Sequence, residues 1–284
     1  MPEVPAETGK IHNMYSLRNK VVLITGASSG IGRATALEAA RQGARLGLAA
    51  RNQEELNKLV SEIRLMGSEA EAFRTDVSVE SECMSFIEAA LARFGTIDVL
   101  INNAGISMRA LFLKTDTEVL RRLMAVNFWG TVYCTKYALT ALLASGGSVV
   151  GVSSIAGYKG LPGRTGYSAS KFAMQGFLEA LRIENLKTGL HVLIACPGFT
   201  TSNIRNTALS ADGTQQGESP RNEAGMMAAE EVAIHILKAV TKRKNSIVLT
   251  RQGKLTVWLS KWFPALTDKL VFNHMAKEPD APFK

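Results

Sequence analysis

Seven short runs of β-branched and other apolar residues recur along the 284-residue chain: KVVLIT (20–25), ARLGLAA (44–50), AEAFRT (70–75), DVLINN (98–103), GSVVGVSS (147–154), LHVLIAC (190–196) and NSIVLT (245–250). Between them lie longer stretches such as ESECMSFIEAALARF (80–94), with apolar residues at three-and-four spacing. Near-continuous apolar runs of strand length belong to strands buried on both faces. Regular alternation of strand and helix therefore predicts an α/β fold. Right-handed crossovers make it a single-domain, doubly wound, seven-stranded parallel sheet with helices on both faces. The expected organisation is an N-terminal extension (1–19), a catalytic domain (20–252) and a basic amphipathic C-terminal helical extension (253–284). A long polar connection follows the sixth run, and residues of about 203–228 are expected to form a lid at the ligand-binding edge of the sheet or to be disordered.

Charge and cysteine usage exclude several classes. The net charge of +8 is concentrated beyond Thr241, where nine Lys/Arg face three acids. A basic tail beside a nearly neutral domain is a solvated surface rather than a groove reader, so no nucleic acid is expected as a partner. Cys83, Cys134 and Cys196 are far apart, without a CxxC pair, and His12, His191, His235 and His274 form no HExxH pattern. Neither a disulfide framework nor a metal site is expected. The opening MPEVPAETGK lacks the basic start and apolar stretch of an export signal, and a cytoplasmic location is expected.

Directly after the first run comes TGASSGIGRA, with Gly26, Gly30 and Gly32 leading into a helix. Glycines there permit a tight turn, close approach of backbone to a pyrophosphate and close helix packing, while the helix start offers unpaired N–H groups to the anion. The expected reading is the phosphate turn of a Rossmann-type nucleotide site in GxxxGxG spacing, shared by Ser28, Ser29 and Ile31; the alternative is an ordinary strand-to-helix turn. The end of the second strand reads AARNQEEL, with Arg51 and no acid before Glu54. A guanidinium suits a ribose 2′-phosphate by charge and by its fork of donors. The expected cofactor is NADP(H) rather than NAD(H).

In TGYSASKFAM, Tyr167 and Lys171 are four residues apart and so neighbours on one helix face. Lowering a phenol from about 10 to about 7 requires on the order of 4 kcal/mol of preferential phenolate stabilisation. The ammonium, helped by a positive nicotinamide ring, is expected to contribute it and make Tyr167 an acid–base at neutral pH. Ser154, at the end of the fifth run, can hydrogen-bond a carbonyl oxygen. Asn127 is a polar residue inside an apolar helix, which either makes a local backbone bond or holds a water on a proton path.

Together TGASSGIG (25–32), Asp76 in TDV, NNAG (102–105), Asn127, Ser154, Tyr167 with Lys171, and PGFTTS (197–202) resemble the short-chain dehydrogenase/reductase family, in family order. The resemblance implies that Tyr167 is the general acid–base, Ser154 positions the substrate carbonyl, Lys171 holds the nicotinamide ribose and Asn127 keeps the water of a proton relay. It implies adenine contacts at Asp76 and Val77, an adenosine-side wall at Asn103, Ala104 and Gly105, and nicotinamide contacts at Pro197, Gly198, Thr200 and Ser202. It also implies a homodimer or homotetramer built on the helices holding Asn127 and Tyr167. Two positions depart from the family pattern: Ser29 stands where NADP-preferring relatives often carry Lys or Arg, and Thr200-Thr201-Ser202 replaces the usual residues after Pro-Gly.

The function expected is hydride transfer between a nicotinamide and the carbonyl or secondary alcohol of a small apolar molecule, with Ile155, Tyr158, Phe199 and Met226 or Met227 as candidate substrate contacts. The alternative is a non-catalytic NADP(H) sensor on the same fold. In the tail, Leu255, Trp258, Leu259, Trp262, Phe263, Leu266 and Leu270 repeat at helical spacing among Lys254, Lys261 and Lys269, with Pro264 expected to kink the helix. Packing against the core or a partner subunit is the first reading of this stretch, and peripheral contact with an anionic membrane is the second.

Overall fold

The computed structural model describes residues 16–201, 203–217 and 225–283. Seven parallel strands form one sheet in the order β3-β2-β1-β4-β5-β6-β7. They are β1 (Val21–Thr25), β2 (Arg45–Ala50), β3 (Ala70–Arg74), β4 (Val99–Asn102), β5 (Ser148–Val152), β6 (His191–Cys196) and β7 (Ser246–Val248). Each lies within the run that predicted it. β1 is central, pairing Val22 with Leu46 of β2 on one side and with Val99 of β4 on the other.

Alternation along β1 shows why both sheet faces must be covered. Val22 and Ile24 enter one core cluster with Leu46, Leu48, Leu56 and Ile236, while Val21 and Leu23 enter the other with Phe86, Leu100 and Leu178. The first cluster is roofed by α1 (Gly30–Arg41), α2 (Gln53–Leu65) and α7 (Ala229–Thr241). The second is roofed by α3 (Glu80–Phe94), α5 (Gly130–Ser145) and α6 (Thr165–Glu184). Small side chains let α1 and α7 pack closely: Ala34 of α1 and Ala229 and Ala233 of α7 form one buried cluster. Helix ends follow local chemistry. Asn52 accepts from the Glu55 N–H (3.1 Å) to start α2, and Gly95 and Gly146, at φ +77° and +57°, end α3 and α5.

Between β4 and α5 the chain makes α4 (Thr117–Met124) and then a π-helical turn, Ala125–Trp129. Residues 203–217, inside the expected lid, are a turn-rich flap: Leu209 is buried, its N–H donates to Ser107 O (2.8 Å), and the Arg109 N–H donates to Leu209 O (2.9 Å). Expected lid residues 218–224 and most of the 1–19 extension lie outside the described residues.

The tail differs from the single kinked helix expected. It forms two helices, α8 (Arg251–Trp262) and α9 (Pro264–Met275), with Pro264 in the first turn of α9, where a missing N–H costs nothing. The Thr250 hydroxyl caps α8 by accepting from Gly253 N–H (2.9 Å), so the helix begins two residues before the expected boundary at 253.

Ile24 is fully buried on the central strand. Ile24→Ala should lower stability by about 2–5 kcal/mol, read as a shifted midpoint in urea unfolding followed by circular dichroism.

Candidate active site

The carboxyl ends of β1, β2, β4, β5 and β6 open onto a cavity of about 580 Å³. Of the expected nucleotide residues, Gly26, Ser28, Ser29, Gly30, Ile31, Arg51, Asp76, Val77, Asn103, Ala104, Gly105, Pro197, Gly198 and Thr200 line it. Ser154, Tyr167 and Lys171 line it too. Gly32 and Asn127 are buried behind its wall, and Ser202 lies outside the described residues.

Glycine is required at the first turn for space as well as conformation. Gly26 and Gly30 have φ of +65° and +53°. A Cβ at Gly26 would lie 2.8 Å from Ala104 Cα, and one at Gly32 would lie 2.3 Å from Gly26 O. Asn103 binds the turn from β4, its Nδ2 donating to Thr25 O (3.0 Å) and Gly26 O (3.1 Å). A Cβ at Gly105 would stand 3.5 Å from Lys171 Nζ, so here too the wall is bare backbone. This cradle, facing the start of α1, fits a dinucleotide pyrophosphate.

At the end of β2, exposed Arg51 shares the cavity edge with Asp76. Burial works to raise the Asp76 carboxyl, but hydrogen bonds from the Ser78 hydroxyl (2.6 Å) and N–H (3.0 Å), with the charges of Arg51 and Arg74, hold it below its usual value.

On the opposite wall, Ser154 accepts from the Ala156 N–H (3.2 Å) at the start of a 3₁₀ turn, Ile155–Gly157. Tyr167 sits in the first turn of α6, with Lys171 one turn on. The Lys171 ammonium lies 5.8 Å from the Tyr167 ring centroid and donates to Val152 O (2.9 Å). Among the protein's own groups the net effect on the phenol is upward, and the expected lowering is left to the nicotinamide ring that the expectation also invokes. Burial raises the Tyr167 phenol above its ordinary value, outweighing the Ser154 hydroxyl and the Arg164 charge that pull it down. Burial also lowers the Lys171 ammonium to about 8, and a cation so disfavoured is a weak stabiliser of a neighbouring phenolate.

Asn127 occupies the π-turn, a feature frequent at functional sites. Its Nδ2 donates to Ile106 O (3.0 Å) and Ser170 Oγ (2.9 Å), and its Oδ1 accepts from Ile106 N–H (2.8 Å). The side chain thus clamps the segment after β4 to α6, its buried amide satisfied by two backbone bonds to Ile106 and one to the Ser170 hydroxyl.

Of the candidate substrate contacts, only Phe199 lines the cavity. Ile155 and Tyr158 turn away into the second core cluster, the Tyr158 phenol pushed up to about 12 chiefly by burial. Met227 packs on the first cluster and Met226 does not line the cavity. Sequence reading missed Arg122, Arg164 and Arg205, which line the substrate side. Arg164 is held from far away: its Nη2 donates to both oxygens of buried Glu278 (3.1 and 3.0 Å), while Arg109 pairs with the same carboxylate at 3.5 Å. No local motif signals that triad.

A bare-backbone nucleotide turn and a Tyr/Lys pair facing one crevice of a doubly wound sheet define a nucleotide-dependent oxidoreductase. Comparison with known proteins supplies the family. The family model described as short chain dehydrogenase matches residues 20–213. Dehydrogenase/reductase SDR family member 7B of Danio rerio is 35% identical over 277 residues, covering 95% of this chain and 90% of that protein. Among solved structures, a short-chain dehydrogenase/reductase from Burkholderia phymatum in complex with NAD superposes with a TM-score of 0.80 at 26% identity, covering 89% of this chain and 96% of that one. An alcohol dehydrogenase from Thermococcus sibiricus complexed with 5-hydroxy-NADP gives 0.72 at 27% identity, covering 81% and 95%. The chain belongs to the short-chain dehydrogenase family. It is a dehydrogenase/reductase acting on CH–OH and C=O groups with a nicotinamide nucleotide.

The Lys171 shift carries a signed consequence. Its folded value of about 8 lies below the ordinary 10.5, so within that window the unfolded chain binds a proton that the folded chain does not, and stability rises with pH. Relative to Lys171→Met, the wild type should gain on the order of 3 kcal/mol between pH 8 and 10.5, measured by urea unfolding across that range.

Proposed function

We propose that the protein is an NADP(H)-dependent oxidoreductase for the carbonyl or secondary alcohol group of a largely apolar small molecule. The observation that carries the reading is the convergence of Ser154, Tyr167 and Lys171 on the wall facing the glycine cradle. When bound, the nicotinamide supplies or accepts the hydride. Tyr167 gives its proton to the carbonyl oxygen in reduction and removes it in oxidation, and Ser154 hydrogen-bonds the same oxygen as charge develops. Burial holds the Tyr167 phenol above its ordinary value, and its place on the wall makes it the group positioned to exchange that proton. Lys171, beside Gly105 and the end of β5, orients the nicotinamide ribose, and Asn127 holds the loop and α6 in register around it. Phe199, Leu161 and Ile204 supply the apolar lining on the substrate side.

Arg51 at the cavity edge supports a preference for the 2′-phosphate, with Asp76 already neutralised by its Ser78 bonds and neighbouring cations. Exposed Trp129 beside Asn127 and exposed Phe172 on α6 support a homodimer or homotetramer through these helices. Three buried, unpaired cysteines fit a cytoplasmic, reducing setting.

Oxidation of NADPH over a panel of ketones and aldehydes tests the activity, and failure on every compound would shift the reading to a nucleotide sensor. With an active substrate, Tyr167→Phe should reduce kcat by at least about 100-fold and leave nucleotide binding within twofold. Arg51→Ala should weaken NADP(H) roughly 10- to 100-fold and hardly alter NAD(H), as read by fluorescence titration of both.

A further inference from the structure

We propose that α8 and α9 form a docking face for an anionic membrane surface. Of the two settings expected for the apolar residues of the tail, the core is not where the largest of them lie, and a partner subunit is weighed below. Leu255, Trp258 and Trp262 follow i, i+3, i+7 spacing on α8 and stay 56%, 54% and 69% exposed. Leu266 and Leu270 repeat four apart on α9 and are also half exposed, and Phe263 stands exposed at the corner, its ring 6.3 Å from that of Trp258. The contacts that fix the pair to the domain lie elsewhere: buried Gly253 against Ile155, buried Thr267 and Met275, and the Lys159–Asp268 ion pair at 2.5 Å. Two consecutive helices therefore present large apolar side chains outward without spending them on the fold.

Charge identifies the occupant. Between residues 251 and 275 the only acid is Asp268, and Lys159 already pairs with it. Arg251, Lys254, Lys261 and Lys269 remain, all exposed cations. Lys254, Lys261 and Lys269 each immediately precede an exposed apolar residue, Leu255, Trp262 and Leu270 respectively. A one-residue step is about 100° around a helix, so each lysine flanks the apolar stripe instead of interrupting it. Apolar rings bordered by ammonium groups match the boundary between acyl chains and anionic headgroups, where Trp and Lys are favoured. A second copy of the chain is a poorer fit, because a two-fold contact would set the same lysine rows against each other. Each helix has 12 residues and is about 18 Å long, so the contact is peripheral. None of the described helices is long and apolar enough to cross a membrane. α9 also packs beside the cavity wall, the His274 ring centred 6.1 Å from that of Phe199, so the docking face adjoins the substrate side of the site.

The test needs no substrate and is independent of the hydride-transfer reading. Purified full chain is floated through a sucrose gradient with phosphatidylcholine vesicles, with and without phosphatidylserine. Flotation is expected with the anionic vesicles and should fall as salt is raised. Replacing Lys254, Lys261 and Lys269 together by Gln should weaken partitioning by about 100-fold, at roughly fivefold per lysine. Trp258→Ser with Trp262→Ser should leave the protein at the bottom of the gradient. All of these side chains are exposed, and circular dichroism checks that the variants remain folded. In Trp129→Phe protein, the two tail tryptophans are the only indoles, and their emission should shift to the blue on binding. Absence of flotation, or unchanged flotation of the double Trp variant, would overturn the docking face. Equal flotation with neutral vesicles would overturn the anionic assignment. A change in oligomeric state of the double Trp variant by light scattering would instead assign the face to a second copy.

Discussion

Contact between the Gly26 turn and the start of the segment after β4 is the constraint from which the site is built. β1 has β2 on one side and β4 on the other, so the chain leaves the sheet edge in opposite directions there and a crevice opens. With Gly26 only a Cβ's breadth from Ala104, and the Asn103 amide bonded to two carbonyls of the turn, the crevice floor is almost pure backbone. Arg51 and Asp76 fall on one side of that floor, and Ser154, Tyr167 and Lys171 on the other. The long dimension of a dinucleotide is thereby matched by sheet topology before any side chain is chosen.

Burial then sets the electrostatics. In water a phenol and an ammonium at helical spacing would hardly affect one another, whereas in this wall desolvation acts on both and favours the neutral form of each. Lys171 directs its nitrogen to Val152 O rather than to the phenol, which keeps the amine satisfied and fixed whatever its charge. A neutral tyrosine beside a hydroxyl is a proton donor in waiting. Its acidity is set by the closed surroundings more than by the one neighbour that the sequence places beside it.

Features written locally in the chain were legible. The strands were, because apolar runs buried on both faces leave a continuous signature, and so were the glycine turn and the Tyr167–Lys171 spacing, each contained within ten residues. What depended on direction or distance was not. Ile155 and Tyr158 are apolar or aromatic and follow Ser154 closely, yet they point into the core, because the short turn after β5 rotates them away from the crevice. Asn127 was recognisable as a costly polar residue, but its partners come from Ile106 and Ser170, on elements that periodicity cannot bring together. Helical spacing in the tail reported amphipathicity faithfully. It carried no information on whether the apolar face meets protein or solvent.

The ion triad of Arg164, Glu278 and Arg109 joins segments separated by more than a hundred positions, Arg164 and Glu278 being 114 apart. Loop-closure entropy and the burial of three charges make such a link unfavourable until the strands and helices between them are in place. The nucleotide cradle is held instead by Asn103 and Ala104 against the Gly26 turn and uses none of these three charges. The shape of the substrate wall is thereby tied to a carboxylate 114 positions from Arg164, so a change at Glu278 would be felt in a compartment it does not itself line.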